Sequence, residues 1–409
     1  MNAAAHPALA NFAIRDNELL VGGVGLRQLA DRVGRTPFYA YDRGAIARRV
    51  GDLRAALPAE ISLHYAMKAN PMPALVALMV GLVDGIDVAS AGELRVALDA
   101  HANPQEISFA GPGKSEAELE LAVLSKILIN VESFREIRLL SQIAARTGAR
   151  ARVAVRVNPD FELKSSGMKM GGGPKQFGID AEQVPEALRV IGQYPLAFEG
   201  FHIFSGSQNL RCDAIIEAQQ KAFDLAHRLA EFAPAAVRTL NLGGGFGIPY
   251  FAGETPLELA PIGTNLGTLV QRAREIFPEA QLVIELGRYL VGEAGIYVCK
   301  IIDRKISRGE VFLVTDGGLH HHLAASGNFG QVLRKNYPVV IGNRMAERVD
   351  ETASAVGPLC TPLDLLADRM TFPRSEPGDL VVVLQSGAYG LTASPLGFLS
   401  HQHPLEILV

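Results

Sequence analysis

The stretch ISLHYAMKANP, residues 61–71, is an alternating, strand-like run that finishes on Lys68, with Asn70 and Pro71 close behind. A lysine at a strand end either carries its ammonium into solvent on an apolar stem or, where enclosed, acts as a reactive amine. Two further clusters lie downstream. NLGGGFGIP holds Gly243, Gly244, Gly245 and Gly247, and such a run either makes a tight turn or lets backbone N–H groups cradle an anion. Glu285-Leu286-Gly287-Arg288 sets a carboxylate and a guanidinium around another glycine. Cys360 lies in AVGPLCTPLD, where Pro358 and Pro362 favour a stiff loop over a packed helix. Cys212 and Cys299 fall in a helix start and a strand, where a cysteine is ordinarily a small core residue.

Strand-like runs recur at SLHYAMK (62–68), GIDVAS (85–90), ISFAG (107–111), ILINVE (127–132), ARVAVRV (151–157), FEGFHIF (198–204), TLNLGG (239–244) and QLVIEL (281–286). Helical stretches such as SAGELRVALDA and AIIEAQQKAFDLAHRLAEF separate them. Several open on a capping box, at Ser90/Glu93, Ser115/Glu118 and Ser133/Glu136, which marks those acids as structural. Eight such strands over roughly 250 residues predict a (β/α)8 TIM barrel, ahead of a doubly wound open sheet with fewer strands. Barrels do chemistry where strands end and often bind phosphate after strands seven and eight. Lys68 then ends the first strand, the glycines follow the seventh, and Glu285 and Arg288 follow the eighth. A lysine beside a phosphate-bearing cofactor suggests a Schiff base with pyridoxal 5′-phosphate. Glu285 would keep the pyridine nitrogen protonated and the ring a strong electron sink.

After about residue 290 the runs YVCKIIDRKI, VFLVTDGG, YPVVIGN and DLVVVLQSG, broken by Gly, Pro and Asn, predict a second, mostly β domain. The expected organisation is an N-terminal segment 1–36 joining the β domain through ELLVGGVGLRQLA, a barrel over 37–289, and the β domain over 290–409. With 409 residues, 48% hydrophobic and 20% charged, the chain is long enough for two cores and too apolar for disorder. A net charge of -4 gives no reason to expect a nucleic-acid partner. The N-terminus lacks a signal-peptide pattern, and the longest apolar run, 74–83, is too short for a membrane span. Three well-separated cysteines fit a reducing cytoplasm better than a disulfide framework.

HYAMKAN, DVASAGEL, GSQ after a strand, NLGGGFGIPY, ELGR, GPLC and SGAYG together resemble the fold-type III pyridoxal-phosphate decarboxylases, which include diaminopimelate and ornithine decarboxylases. The resemblance runs through nearly the whole chain in order. It implies an alanine-racemase-like barrel with a β domain, Lys68 as the Schiff-base lysine and Glu285 on the pyridine nitrogen. Ser207, Gly244, Gly245, Gly287, Arg288 and Tyr389 match its phosphate-binding positions, and Asp87, His202 and Phe204 its other cofactor positions. Cys360 matches a catalytic cysteine that reaches the partner's site in a homodimer. Its thiol would give a proton to the carbon left bare when CO2 departs.

The departures concern substrate. Thr361 stands where diaminopimelate and ornithine decarboxylases carry a carboxylate for a distal ammonium, and Asp364 matches a different family position. Ala324, in DGGLHHHLAASGNFG, stands about where an Arg would meet a distal carboxylate. Arg334 or Lys335 would take over that role if the alignment slips. Phe204 replaces the histidine that stacks on the cofactor ring, so stacking survives without the polar edge. The pattern resembles the subgroup acting on conjugated or carrier-tethered amino acids, such as the glutamyl-carrier-protein decarboxylase of butirosin synthesis and exosortase-linked decarboxylases. The alternative is a diaminopimelate decarboxylase making L-lysine from meso-diaminopimelate. Thr361, Asp364 and His320 are the expected substrate contacts. Consecutive residues on a strand face opposite ways, so of His320-His321-His322 at most two could share a metal, and none is expected. A racemase would carry Arg where Glu285 stands. A non-catalytic relative of the antizyme-inhibitor kind would not need Lys68, Glu285 and Cys360 together.

Overall fold

Successive rather than alternate residues are buried in Leu128–Val131 and Ala151–Asn158, as a parallel sheet covered on both sides requires. The computed structural model describes residues 6–162, 168–169, 171–329 and 334–409. Residues 1–5, and Gly330 at the end of DGGLHHHLAASGNFG, lie outside the described residues. The strands Ser62–Ala66, Gly85–Val88, Ile107–Phe109, Leu128–Val131, Ala151–Asn158, Leu196–Ile203, Thr239–Gly244 and Gln281–Leu286 each pair in parallel with the next. The last returns to the first, with Val283 opposite Ser62 and Leu286 opposite Tyr65, so the sheet closes. The expected (β/α)8 barrel is present, and the open sheet is not.

The covering helices follow local rules. Phe134–Thr147 starts on Ser133, whose hydroxyl accepts from Glu136 N, and stops at Gly148, which takes a left-handed φ of 68°. Between the caps, Ile137, Leu140, Ile143 and Ala144 fall on one buried stripe. Truncating Leu140 to Ala would cost about 2–5 kcal/mol. All three predicted serine caps form, but only Ser115/Glu118 closes the reciprocal box.

The second compact unit comprises the segment up to Arg48, Ile248–Pro256 and Arg288–Val409. Its spine is the strand Gly295–Ser307, which pairs with Glu310–Thr315, Leu380–Val383 and Phe38–Tyr41. Val349–Val356 and Leu365–Pro373 extend the sheet, and Leu405–Leu408 pairs with Phe38–Tyr41. The strand added from the N-terminal side is thus Phe38–Tyr41, which the sequence pattern groups with the barrel. All four of its residues are buried, and a strand apolar on both faces reads alike in either setting. Glu18–Val21 instead forms a small sheet with Ile14–Arg15 and Val24–Gly25, joined to the unit by Leu19 N–H on Gly342 O at 2.8 Å. Among the described residues no helix is long and apolar enough to cross a membrane.

Candidate active site

Lys68 lies in the single turn Met67–Ala69 that follows the first barrel strand, exposed between the buried Met67 and Ala69. Its Nζ stands 5.7 Å from the centroid of the Phe204 ring. Gly287, just past the eighth strand, makes this turn possible: a Cβ there would lie 2.8 Å from Ala69 Cβ and 2.9 Å from Ala66 O.

Glu285 is buried near the end of the eighth strand, and its Oε2 accepts from Asn241 Nδ2 at 3.2 Å. His202 Nε2 is 3.0 Å from the same oxygen but off the angle of a hydrogen bond, so that contact is electrostatic, and His202 Nδ1 has no hydrogen-bond partner among the described residues. Burial alone would raise the Glu285 carboxyl; His202, Lys68 and Arg156 outweigh it and hold the group well below the usual carboxylate range. Strand register assembles this set, with His202 opposite Asn241 on one side and Arg156 on the other.

The glycine loop begins where Asn241 Oδ1 accepts Gly243 N–H at 2.8 Å. A Cβ on Gly244 would lie 2.0 Å from Glu285 O. Gly245 has φ +74°, and a Cβ there would lie 2.1 Å from Gly206 O, beside Ser207. No other residue fits either position. On the second barrel strand, Asp87 Oδ1 meets His64 Nδ1 at 3.0 Å and accepts from Ser108 Oγ at 2.6 Å, while Oδ2 is buried with no hydrogen-bond partner among the described residues.

The remaining expected residues belong to the β unit. Arg288 donates to Tyr250 OH at 2.8 Å, and its guanidinium lies 5.3 Å from the Tyr250 ring centroid and 4.6 Å from that of Tyr389. Tyr389 takes φ 53°, a strained value for a non-glycine residue. Cys360 is exposed on the loop joining Val349–Val356 to Leu365–Pro373. Thr361, next to it, is half-buried, and its Oγ1 accepts Leu363 N–H at 3.3 Å.

Residues 43–292 match the family described as pyridoxal-dependent decarboxylase, pyridoxal binding domain. The chain belongs to the pyridoxal-dependent decarboxylases. It is 41% identical over 91% of its length to an L-glutamyl-[BtrI acyl-carrier protein] decarboxylase of Niallia circulans, covering 88% of that protein. It is 34% identical over 93% of its length to a diaminopimelate decarboxylase of Aquifex aeolicus, again covering 88%. A crystal structure of diaminopimelate decarboxylase from M. jannaschii superposes with a TM-score of 0.89 at 24% identity, covering 98% of this chain and 93% of that one, and so shares the fold. This protein is a carboxy-lyase that uses pyridoxal 5′-phosphate to decarboxylate an amino acid. The barrel residues fit that cofactor. They offer an accessible primary amine, a buried ionised carboxylate, a loop shaped for bare backbone, and unpartnered polar atoms on Asp87 and His202.

Two expected substrate contacts are otherwise engaged. Asp364 is 3% exposed and both its carboxylate oxygens accept backbone N–H groups, from Leu319 and Leu359. His320 has no exposed surface and stacks between His321, at 3.6 Å between ring centroids, and His401, at 4.9 Å. The histidine triplet lies in a turn rather than a strand, with His321 and His322 N–H both on Gly318 O. No group of three metal-ligating side chains occurs among the described residues.

The sequence reading missed the decarboxylase's buried charges. Lys114 pairs with Glu136 at 3.1 Å and Arg156 with Glu132 at 2.8 Å, with Glu132 N–H on Glu136 Oε2. Breaking such a buried pair costs about 3–5 kcal/mol. The available signal was Arg156 inside ARVAVRV, a cation at a position that the apolar pattern buries.

Proposed function

We propose that this decarboxylase acts on a conjugated amino acid, with an L-glutamyl group on an acyl-carrier protein as the first candidate. The carrying observation is the loop beside Cys360. Thr361 has no charge there, and Asp364 spends both oxygens on backbone N–H groups, so the loop offers no carboxylate to a distal ammonium. On the side of a distal carboxylate, Ala324 has no charge and is buried. Arg334 is committed to the carbonyls of Ser326 and, at 3.1 Å, Leu365. A tethered substrate needs neither clamp, because its carrier contributes the binding. The 41% identity to the carrier-protein decarboxylase supports this reading. The 34% identity to a diaminopimelate decarboxylase supports the second, lysine formation from free meso-diaminopimelate.

In the roles proposed, Lys68 would hold the cofactor by its amine and Glu285, as an anion, would serve the pyridine nitrogen. Gly244 and Gly245, with Ser207 and Gly287, would take the phosphate, and Phe204 would offer its ring for stacking. His202 and Arg156 help keep Glu285 ionised, and Asn241 donates to it. Arg288 and Tyr389 keep the phosphate-binding roles that the resemblance assigns them. Pyridoxal phosphate, when bound, supplies the electron sink for the carbanion left by CO2. Cys360 Sγ–H then gives its proton to that carbon, in a homodimer where each loop serves the partner subunit. A reducing cytoplasm suits three free cysteines. CO2 release should be fastest from a carrier-bound amino acid in a screen of free and carrier-bound forms. Equal or faster release from the free acids contradicts the proposal.

A further inference from the structure

The loop that carries Cys360 closes on itself: Gly357 N–H donates to Asp364 O at 3.0 Å and Thr361 N–H to Leu359 O at 2.8 Å. Inside this closure lies the Asp364 carboxylate. Oδ2 accepts Leu359 N–H at 2.8 Å, within the loop, and Oδ1 accepts Leu319 N–H at 2.6 Å, from the turn ahead of His320. Two glycines make room for it. A Cβ on Gly318 would lie 2.2 Å from Oδ1, and one on Gly357 would lie 2.2 Å from Oδ2. The carboxylate is therefore a two-ended strut between the Cys360 loop and the 317–319 turn, while Cys360 itself stays exposed.

Hydrogen bonds from backbone N–H groups to a buried carboxylate are charge-assisted and strongly directional, and both Asp364 oxygens are used in this way. Charge sets the demand: both partners are donors, so the side chain must accept at both ends. An amide of the same shape accepts at one end and turns N–H against N–H at the other.

We infer that Asp364 is a positioning residue for the decarboxylation, holding the Leu359–Cys360 backbone so that the thiol stands where its proton is needed. The inference rests on the reading of Cys360 as proton donor, and its test separates the two. The holoenzyme is assayed as Asp364→Asn, Cys360→Ala and the double variant, with kcat and KM measured for each. Asp364→Asn is expected to lower kcat at least tenfold with KM within twofold, and to add less than a further twofold in the Cys360→Ala background. An equal loss in both backgrounds, or a kcat within twofold of wild type, overturns the positioning role. Full activity of Cys360→Ala overturns the proton-donor reading instead. Should Asp364→Asn not fold, hydrogen exchange of the wild-type holoenzyme decides. The Leu319 and Leu359 amides are expected among the slow exchangers, and fast exchange at either overturns the strut.

Discussion

Lys68 and Glu285 stand at the ends of neighbouring barrel strands, and their surroundings differ. The lysine is exposed in a turn, free to meet an aldehyde, whereas the glutamate is enclosed and kept anionic by His202, Lys68 and Arg156. Lys68→Ala should remove cofactor absorbance above about 400 nm and abolish CO2 release, with an unchanged melting curve for the apoprotein. Normal turnover by that variant would contradict the assignment of the amine. Both residues were conspicuous in the sequence because each sits in a short local pattern, HYAMKAN and ELGR. The partnership of Glu285 with His202 and Asn241 was not, since it depends on register between strands distant in sequence. The engagement of Asp364 is hidden for a related reason. A carboxylate near Cys360 invites a substrate role, and only the backbone geometry shows that its oxygens accept N–H groups.

At the scale of elements, the glycine loop and the histidine turn behave differently from their sequence appearance. Three glycines in a row leave a turn and an anion cradle equally open, and close backbone packing against Glu285 and Gly206 shows why no side chain is tolerated. Three consecutive histidines look like a ligand set but form a packed, uncharged corner. Burial holds His320 down to about 4, and His321 and His322 to about 3. His322 Nε2 meets Ser386 Oγ at 2.9 Å, which ties this corner to the SGAYG loop. Each imidazole protonates near pH 6.5 in the unfolded chain and resists protonation when folded. Between about 6.5 and 4 the unfolded state therefore binds more protons, and stability falls as pH is lowered, by ~1.4 kcal/mol per pH unit for each proton. His320 has no hydrogen bond to lose, so His320→Phe should flatten that dependence by about one proton in denaturation curves between pH 4 and 6.5. Parallel curves for the two proteins would show that His320 is not a buried neutral base. The barrel strands were legible because parallel strands buried on both faces are apolar runs of the right length. The Lys114–Glu136 and Arg156–Glu132 pairs were not, because ion pairing is invisible in hydrophobic periodicity.

For the whole molecule, the barrel and a following β unit could be read from the change in texture near residue 290. The contribution of Phe38–Tyr41 to the β unit could not, since four buried residues give no clue to which sheet they complete. A homodimer with shared sites predicts complementation. Mixing inactive Lys68→Ala chains with impaired Cys360→Ala chains should raise activity to about a quarter of wild type, because random pairing makes half the dimers hybrid with one intact site each. No recovery, with subunit exchange demonstrated, would mean each site is built from one chain. Substrate choice is the central claim, and it depends on charges this chain lacks at Thr361 and Ala324. A charge-assisted hydrogen bond contributes roughly 1.5–3 kcal/mol. Losing one at each end of a free diamino acid weakens transition-state binding by roughly 10²- to 10⁴-fold. The measurement is kcat/KM for free meso-diaminopimelate. The account predicts a value far below about 10⁴ M⁻¹s⁻¹, the lower edge of the ordinary enzyme range; a value at or above it would contradict the account and make this chain a diaminopimelate decarboxylase.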